Sequence, residues 1–234
     1  MTHPLDRAVS NALTTRLSAF ATADSDDRAV RIDPEVGVFL AGADARPESL
    51  AAMAGLALRH PGAGMIERTG SAMAALDLPG VAVVDRIPLV QMVATALTPG
   101  GPDLAFETLT EADAPQMLAL ATLTKPGPFR SATRRLGPFI GVRQDGRLVA
   151  MAGRRMRVDG FTELSGVCTH PDWRGRGYAA GLSRAVAGEI LASGEGVFLH
   201  AFAGHDATIA FYRSLGFEIR APMTYTRLAE GDRP

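Results

Sequence analysis

Cysteine is nearly missing from this 234-residue chain: Cys168 is its single thiol, so no intrachain disulfide can form. That scarcity fits a reducing compartment. A basic excess is missing too. Lys plus Arg total 24 against 25 Asp plus Glu, for a net charge of −1, which argues against a surface built to neutralise nucleic-acid phosphates. Arg154, Arg155 and Arg157 make only a small local cluster. No apolar run approaches the roughly 20 residues that span a bilayer, and the start Met1-Thr2-His3-Pro4 lacks the basic and apolar regions of a signal peptide. A soluble, cytoplasmic protein with no nucleic-acid or membrane partner is expected. Histidines at metal-ligand spacing are also lacking: His3 and His60 have no partners, and His170, His200 and His205 match no zinc pattern, so no metal is expected.

What is present describes an ordinary globular chain, 47% apolar and 21% charged. The breaker cluster Thr98-Pro99-Gly100-Gly101-Pro102-Asp103 can continue neither helix nor strand. It divides the sequence into an N-terminal domain (1–97), a linker (98–102) and a C-terminal domain (103–230). In the first half, Leu5, Val9, Leu13, Leu17 and Phe20 recur near a helical period. Strands are expected at 29–32 and 36–40, a helix from Glu48 to Leu58 and a short buried strand at 81–84. No catalytic constellation stands out there.

The second half alternates more legibly. A strand at 104–109 leads to a helix at 111–122 with Thr110 as candidate N-cap. A hairpin, 139–143 and 147–156, turns on Asp145-Gly146. A strand at 161–169, a helix at 178–192 and a strand at 197–203 follow, then a short helix at 207–214 and a last strand at 223–228. This order implies an α/β or α+β domain with a mixed sheet.

Between the strand ending at Thr169 and the helix starting at Tyr178 lies His170-Pro171-Asp172-Trp173-Arg174-Gly175-Arg176-Gly177. Two glycines spaced by one residue and running into a helix direct unpaired N–H groups and the positive end of a helix dipole at one small volume. A pyrophosphate suits that volume, and Arg174 and Arg176 can add charge at the rim. The same residues also fit a tight strand-to-helix turn without a ligand. No Gly-Lys-Ser/Thr follows, so a Walker loop is excluded, and a third glycine at dinucleotide-fold spacing is lacking.

Arg174-Gly175-Arg176-Gly177-Tyr178-Ala179 resembles the Gln/Arg-x-x-Gly-x-Gly/Ala pattern of the GNAT superfamily of N-acetyltransferases, matching at Arg174, Gly177 and Ala179. Val167-Cys168-Thr169-His170-Pro171 looks like the end of that family's fourth strand. Ala210-Phe211-Tyr212-Arg213-Ser214-Leu215-Gly216-Phe217 resembles its tyrosine helix. The likeness covers roughly 103–228 and is nearest the glycine N-acyltransferase-like C-terminal domains. It implies a mixed GNAT-type sheet flanked by helices, with acetyl-CoA as cosubstrate and an amine of a small molecule or protein as acceptor. Strands 161–169 and 197–203 would splay to admit the pantetheine arm. Backbone at Val167 and Thr169, with Cys168 between them, would pair with that arm, and Arg174 to Ala179 would hold the pyrophosphate. Where the family often has Asn, this chain has His205, a candidate cofactor contact or a plain surface histidine. The loop Thr124–Phe129 would border the acceptor site.

Acyl transfer to an amine needs a base, an oxyanion donor and an acid for the thiolate. Tyr212 is the candidate acid, its phenol protonated at neutral pH with an ordinary pKa near ~10. Glu163 is the candidate base, on the face that strand alternation gives to Ser165, Val167 and Thr169, or else a solvated carboxylate at the strand start. Backbone N–H near Val167 or Cys168 is the candidate oxyanion donor. Cys168 reads as a buried structural cysteine, since His200 on the adjacent strand is the one visible partner for a nucleophile. A non-catalytic acyl-CoA-binding module is the alternative to an enzyme. Residues 1–97 have the size and mixed pattern of a degenerate second copy of the same fold, expected to cover the acceptor cleft or to form a homodimer contact.

Overall fold

The computed structural model describes residues 3–101 and 104–229. The N-terminal half runs α1 (Ala8–Thr14), β1 (Ala29–Arg31), β2 (Leu40–Gly42), α2 (Pro47–Arg59), β3 (Gly64–Arg68) and β4 (Val83–Ala94). The second half opens with β5 (Glu107–Leu109), α3 (Ala114–Thr124), β6 (Phe139–Gln144), β7 (Arg147–Val158) and β8 (Phe161–Thr169). It closes with α4 (Tyr178–Ala192), β9 (Gly196–Phe202), α5 (Asp206–Ser214) and β10 (Glu218–Leu228). β1 and β2 form a two-stranded sheet, and the remaining strands form an 8-stranded sheet in the order β3-β10-β4-β9-β8-β7-β6-β5. The fold is α/β, with helices on both faces of a mixed sheet. No described helix is long and apolar enough to cross a membrane.

The segment 98–102 divides the sequence but not this sheet. β4, from the first half, lies between β9 and β10 of the second and pairs antiparallel with both. It is also far longer than the strand expected at 81–84, and it carries Pro88, a residue that central strands disfavour. The structure accommodates Pro88 just before pairing with β9 begins at Leu89↔Phe202. Pro222 in β10 is placed alike, just before pairing with β3 begins at Met223↔Arg68. At both sites the missing N–H can point to the side without a second partner strand.

The expected first helix is broken. α1 ends at Thr14, flanked by 3-10 turns at Pro4–Arg7 and Ser18–Phe20. The Thr14 and Thr15 hydroxyls donate back to the carbonyls of Ser10 and Asn11, a competition that weakens helix ends. Leu5, Val9, Leu13 and Leu17 are still buried, packing with Met156, Val158 and Phe198 of the sheet. α4 covers the other face, where Leu182, Val186 and Ile190 meet Val149, Leu164, Val197 and Leu199. α3 lies on the α1 side, with Met117 and Leu120 against Phe139, Met151 and Cys168. Alternation along β9 therefore sends Phe198 and His200 toward α1, and Val197 and Leu199 toward α4.

Candidate active site

The expected splay is present. β8 and β9 pair in parallel from Phe161↔Gly196 to Glu163↔Phe198. Beyond Glu163, β8 continues only along β7 and β9 only along β4 among the described residues. A wedge opens between two strands whose facing backbone groups have no strand partner, an edge available to an extended ligand.

A bulge shapes one wall of the wedge. Ser165 pairs with Gly153 but Cys168 with Met151, so Gly166 and Val167 on β8 stand against Ala152 alone on β7. Gly166 sits at φ +64, and a Cβ there would come within 2.8 Å of the Phe139 ring, so the bulge requires glycine. It also corrects the expected alternation. Leu164 and Val167 pack into the α4-side core, while Cys168 packs with α3. Glu163 and Ser165 thus face one side, and Val167 and Thr169 the other.

On the α4 side, Gly177 adopts φ 79, ψ 0, left-handed geometry that glycine tolerates without cost, and no side chain caps the helix it starts. The first helical bond runs from Gly181 N–H to the Gly177 carbonyl, 2.9 Å. The N–H groups of Tyr178, Ala179 and Ala180 therefore lack intrahelical acceptors and crown the positive end of α4. Arg174 and Arg176 are exposed at the rim, and the Arg176 guanidinium stacks 4.4 Å over Trp173. The Thr169 hydroxyl is buried without a hydrogen-bond partner among the described residues, on the wall of the same cavity. An uncapped helix, an orphaned hydroxyl and an open strand edge together fit a phosphate-bearing, amide-bearing arm. Among the described residues, no group of three or more His, Cys, Asp or Glu is placed to hold a metal ion.

Two cavities meet here. One, of about 480 Å³, is walled by Val167 to Thr169, by Trp173 to Ala180 and by Thr208, Phe211 and Tyr212 of α5. The other, of about 530 Å³, is lined by Glu163, Ser165, His200, the Thr124–Pro128 loop, Phe39, Ile66 and Leu89 from the first half, and Tyr225 of β10. Thr124, Pro126, Val167, Arg174, Thr208 and Tyr212 border both. Tyr212 packs against Phe211 and Phe217, with ring centroids at 5.0 and 5.7 Å. Burial, and secondarily the charge Cys168 would carry, push its phenol well above the ordinary tyrosine range. It stays protonated at the junction of the two cavities. Cys168 is buried, and burial raises its thiol to about 11.

Glu163 differs from the expected base. It is fully buried, and its oxygens accept from Arg155 Nε (2.7 Å) and Nη2 (2.8 Å), from His200 Nδ1 (2.9 Å) and from the Met156 N–H (3.2 Å). Burial opposes its charge, but Arg155 and His200 outweigh burial and bring its pKa to about 2. A carboxylate so saturated is a weak proton acceptor. It orients His200 instead. Gln91 Oε1 accepts from Arg220 Nε (2.6 Å), and Gln91 Nε2 donates to the Leu5 carbonyl (3.0 Å) and to His200 Nε2 (3.1 Å). This network assigns the proton of His200 to Nδ1.

His205 is exposed, forms no cap hydrogen bond at the start of α5, and lines the larger cavity beside Phe202, ring centroids 5.1 Å apart. Gln91, Tyr225 and the first-half wall residues were not singled out from sequence, and Arg155 was read only as part of a small basic cluster. Arg155 left a trace: a turn at Asp159-Gly160 pairs Val158 with Phe161, which carries Arg155 toward Glu163.

A model of FR47-like proteins matches residues 139–227. A solved structure from Novosphingobium aromaticivorans DSM 12444, described as a GNAT-family acetyltransferase, is 41% identical over 98% of this chain and 100% of that one, with TM-score 0.88. A GCN5-related N-acetyltransferase from Kribbella flavida shares the fold at 19% identity and TM-score 0.67, covering 95% of each chain. So does a tandem GNAT protein from the clavulanic acid biosynthesis pathway, at 14% identity and TM-score 0.52, with 88% of this chain and 76% of that one covered. No curated protein matches the chain.

Proposed function

The chain belongs to the GNAT family, and from that premise we propose that it is an N-acyltransferase moving an acetyl group directly from coenzyme A to an amine. The observation that carries the reading is the position of Tyr212, a protonated phenol on the boundary between the wedge cavity and the larger one. The thioester supplies an activated acyl carbon and a thiolate leaving group. Backbone at Val167 and Thr169 pairs with the pantetheine amides along the open edge of β8. The uncapped N–H groups of Tyr178, Ala179 and Ala180 hold the pyrophosphate, and Arg174 and Arg176 neutralise its outer charge. Gly175 keeps the turn compact, Cys168 contributes backbone, and His205 borders the arm. The bulge turns a backbone N–H at Val167 or Cys168 toward the reacting carbonyl. Tyr212 donates a proton to the thiolate as the C–S bond breaks. The phenolate left behind takes up, through water, the proton that the amine nitrogen loses on forming the amide, which restores the phenol. Glu163 holds His200 and Arg155 in place. Residues 1–97 cover the acceptor side, supported by Phe39, Ile66 and Leu89 on its wall.

Tyr212→Phe tests the assignment. It should lower kcat by about 10²–10⁴ while acetyl-CoA binds with unchanged affinity. An undiminished kcat removes Tyr212 from the chemistry. Tight acetyl-CoA binding by the wild type without turnover on a broad amine panel marks a binding module.

A further inference from the structure

The larger cavity joins a neighbouring hollow, with which it shares Lys125, Gly127, Pro128, Phe202 and Tyr225. The charged groups around the combined space are one-sided. Lys125, Arg130, Arg155, Arg174 and Arg227 line it, against Glu163 as the one carboxylate among the lining residues. Glu163 is consumed by Arg155 and His200, and Arg227 is paired with Asp85. Lys125 and Arg130 are left without an ion-pair partner among the described residues. Lys125 is the only lysine in the chain, and it ends α3 at φ 50, a conformation uncommon for a side chain of that kind.

Tyr225 reports the same excess. Burial raises its phenol, while the charges of Arg155, Arg227 and Arg130 pull it down. Behind the cavity, Arg31 is buried and donates to the carbonyls of Ile32 (2.8 Å) and Gly37 (3.1 Å). Burial first, and then Arg130, lower its pKa to about 10. Uncompensated positive charge here repels a polycation. It accepts an ammonium that brings its own anion, because a carboxylate gains charge-assisted bonds from exactly such unpaired donors. The rest of the wall is apolar: Phe39, Ile66, Leu89 and Phe202.

We propose that the acceptor is a small amine carrying its own carboxylate and an apolar side chain, an apolar α-amino acid, with the carboxylate held by Lys125 and Arg130. The side chain rests on Phe39, Ile66 and Leu89, and the amino group is left toward Tyr212. This rests on the acyltransferase reading and narrows it to one acceptor class.

The test is acetyl transfer from acetyl-CoA to leucine, leucinamide, glycine and spermidine, by wild type and by Arg130→Ala, whose side chain is exposed and not needed for packing. Leucine should exceed leucinamide in kcat/KM by about tenfold or more, as one charge-assisted contact implies, and should also exceed glycine and spermidine. Arg130→Ala should raise KM for leucine by about tenfold, shrink the leucine-to-leucinamide ratio, and leave KM for acetyl-CoA within about twofold. Arg130→Lys should recover part of the loss. Preference for leucinamide or spermidine, or a ratio unmoved by Arg130→Ala, overturns the carboxylate assignment while acyl transfer stands. Preference for glycine overturns the apolar part. Absence of transfer to all four amines overturns both this inference and the acyltransferase reading.

Discussion

The two cavities that meet at Tyr212 are made from different lengths of chain. The wedge cavity, apart from Thr124 and Pro126, is built from Val167 to Tyr212 and relies on backbone: a bulge, an open strand edge and an uncapped helix. The larger cavity gathers Phe39, Leu89, Lys125, Arg155, His200 and Tyr225 from six separate elements or loops and relies on side chains. On the proposed reading, the backbone devices recognise what every acyl-CoA shares, and the side chains collected from both halves set which amine is accepted, so that side depends on how the halves join.

The join has a specific form. Asp6 accepts from Arg220 Nη2 (2.5 Å), Arg220 holds Gln91, Gln91 meets His200, His200 meets Glu163, and Glu163 pairs with Arg155. Breaking it should therefore injure the acceptor side through stability and leave the phosphate turn intact. Arg155→Ala has the largest expected effect, a loss of about 3–5 kcal/mol in urea unfolding, because it leaves a buried carboxylate unpaired. A loss below about 1 kcal/mol would mean that the buried pair does not anchor this network.

Glu163→Gln sharpens the same contrast with a smaller effect, on the order of 1–3 kcal/mol at neutral pH. Its sign is fixed by the direction of the shift. The folded pKa of about 2 lies below the ordinary 4.5, so the stabilisation is complete above about 4.5 and is lost as pH falls from there toward about 2. The stability gap between wild type and Glu163→Gln should therefore narrow across that window. A gap that stays constant as pH falls from above 4.5 toward about 2 contradicts a charged, paired Glu163.

The same difference in construction explains what could be read in the sequence. The strand, glycine turn, helix and tyrosine helix of the wedge are local, and each carries its own signature: Pro171 after the strand, Gly175 and Gly177 in the turn, and the 3.6 period of Leu182, Val186 and Ile190. The acceptor side is not local. No pattern in Val83–Ala94 announces that it will enter the sheet between β9 and β10, and Pro88 argues against a strand there. Nor did Gly166 declare that it would shift the alternation of β8 and separate Glu163 from Val167. Both depend on neighbours that only the folded chain supplies: the open side next to Pro88, and the Phe139 ring beside Gly166.

The central claim is that the turn at Gly177 is a phosphate cradle for an acyl-CoA, and calorimetric titration of acetyl-CoA into wild type and Gly177→Glu tests it most directly. Micromolar binding to wild type that disappears in Gly177→Glu, with circular dichroism showing both folded, is the predicted result. No binding to wild type, or equal binding to both proteins, would contradict the account.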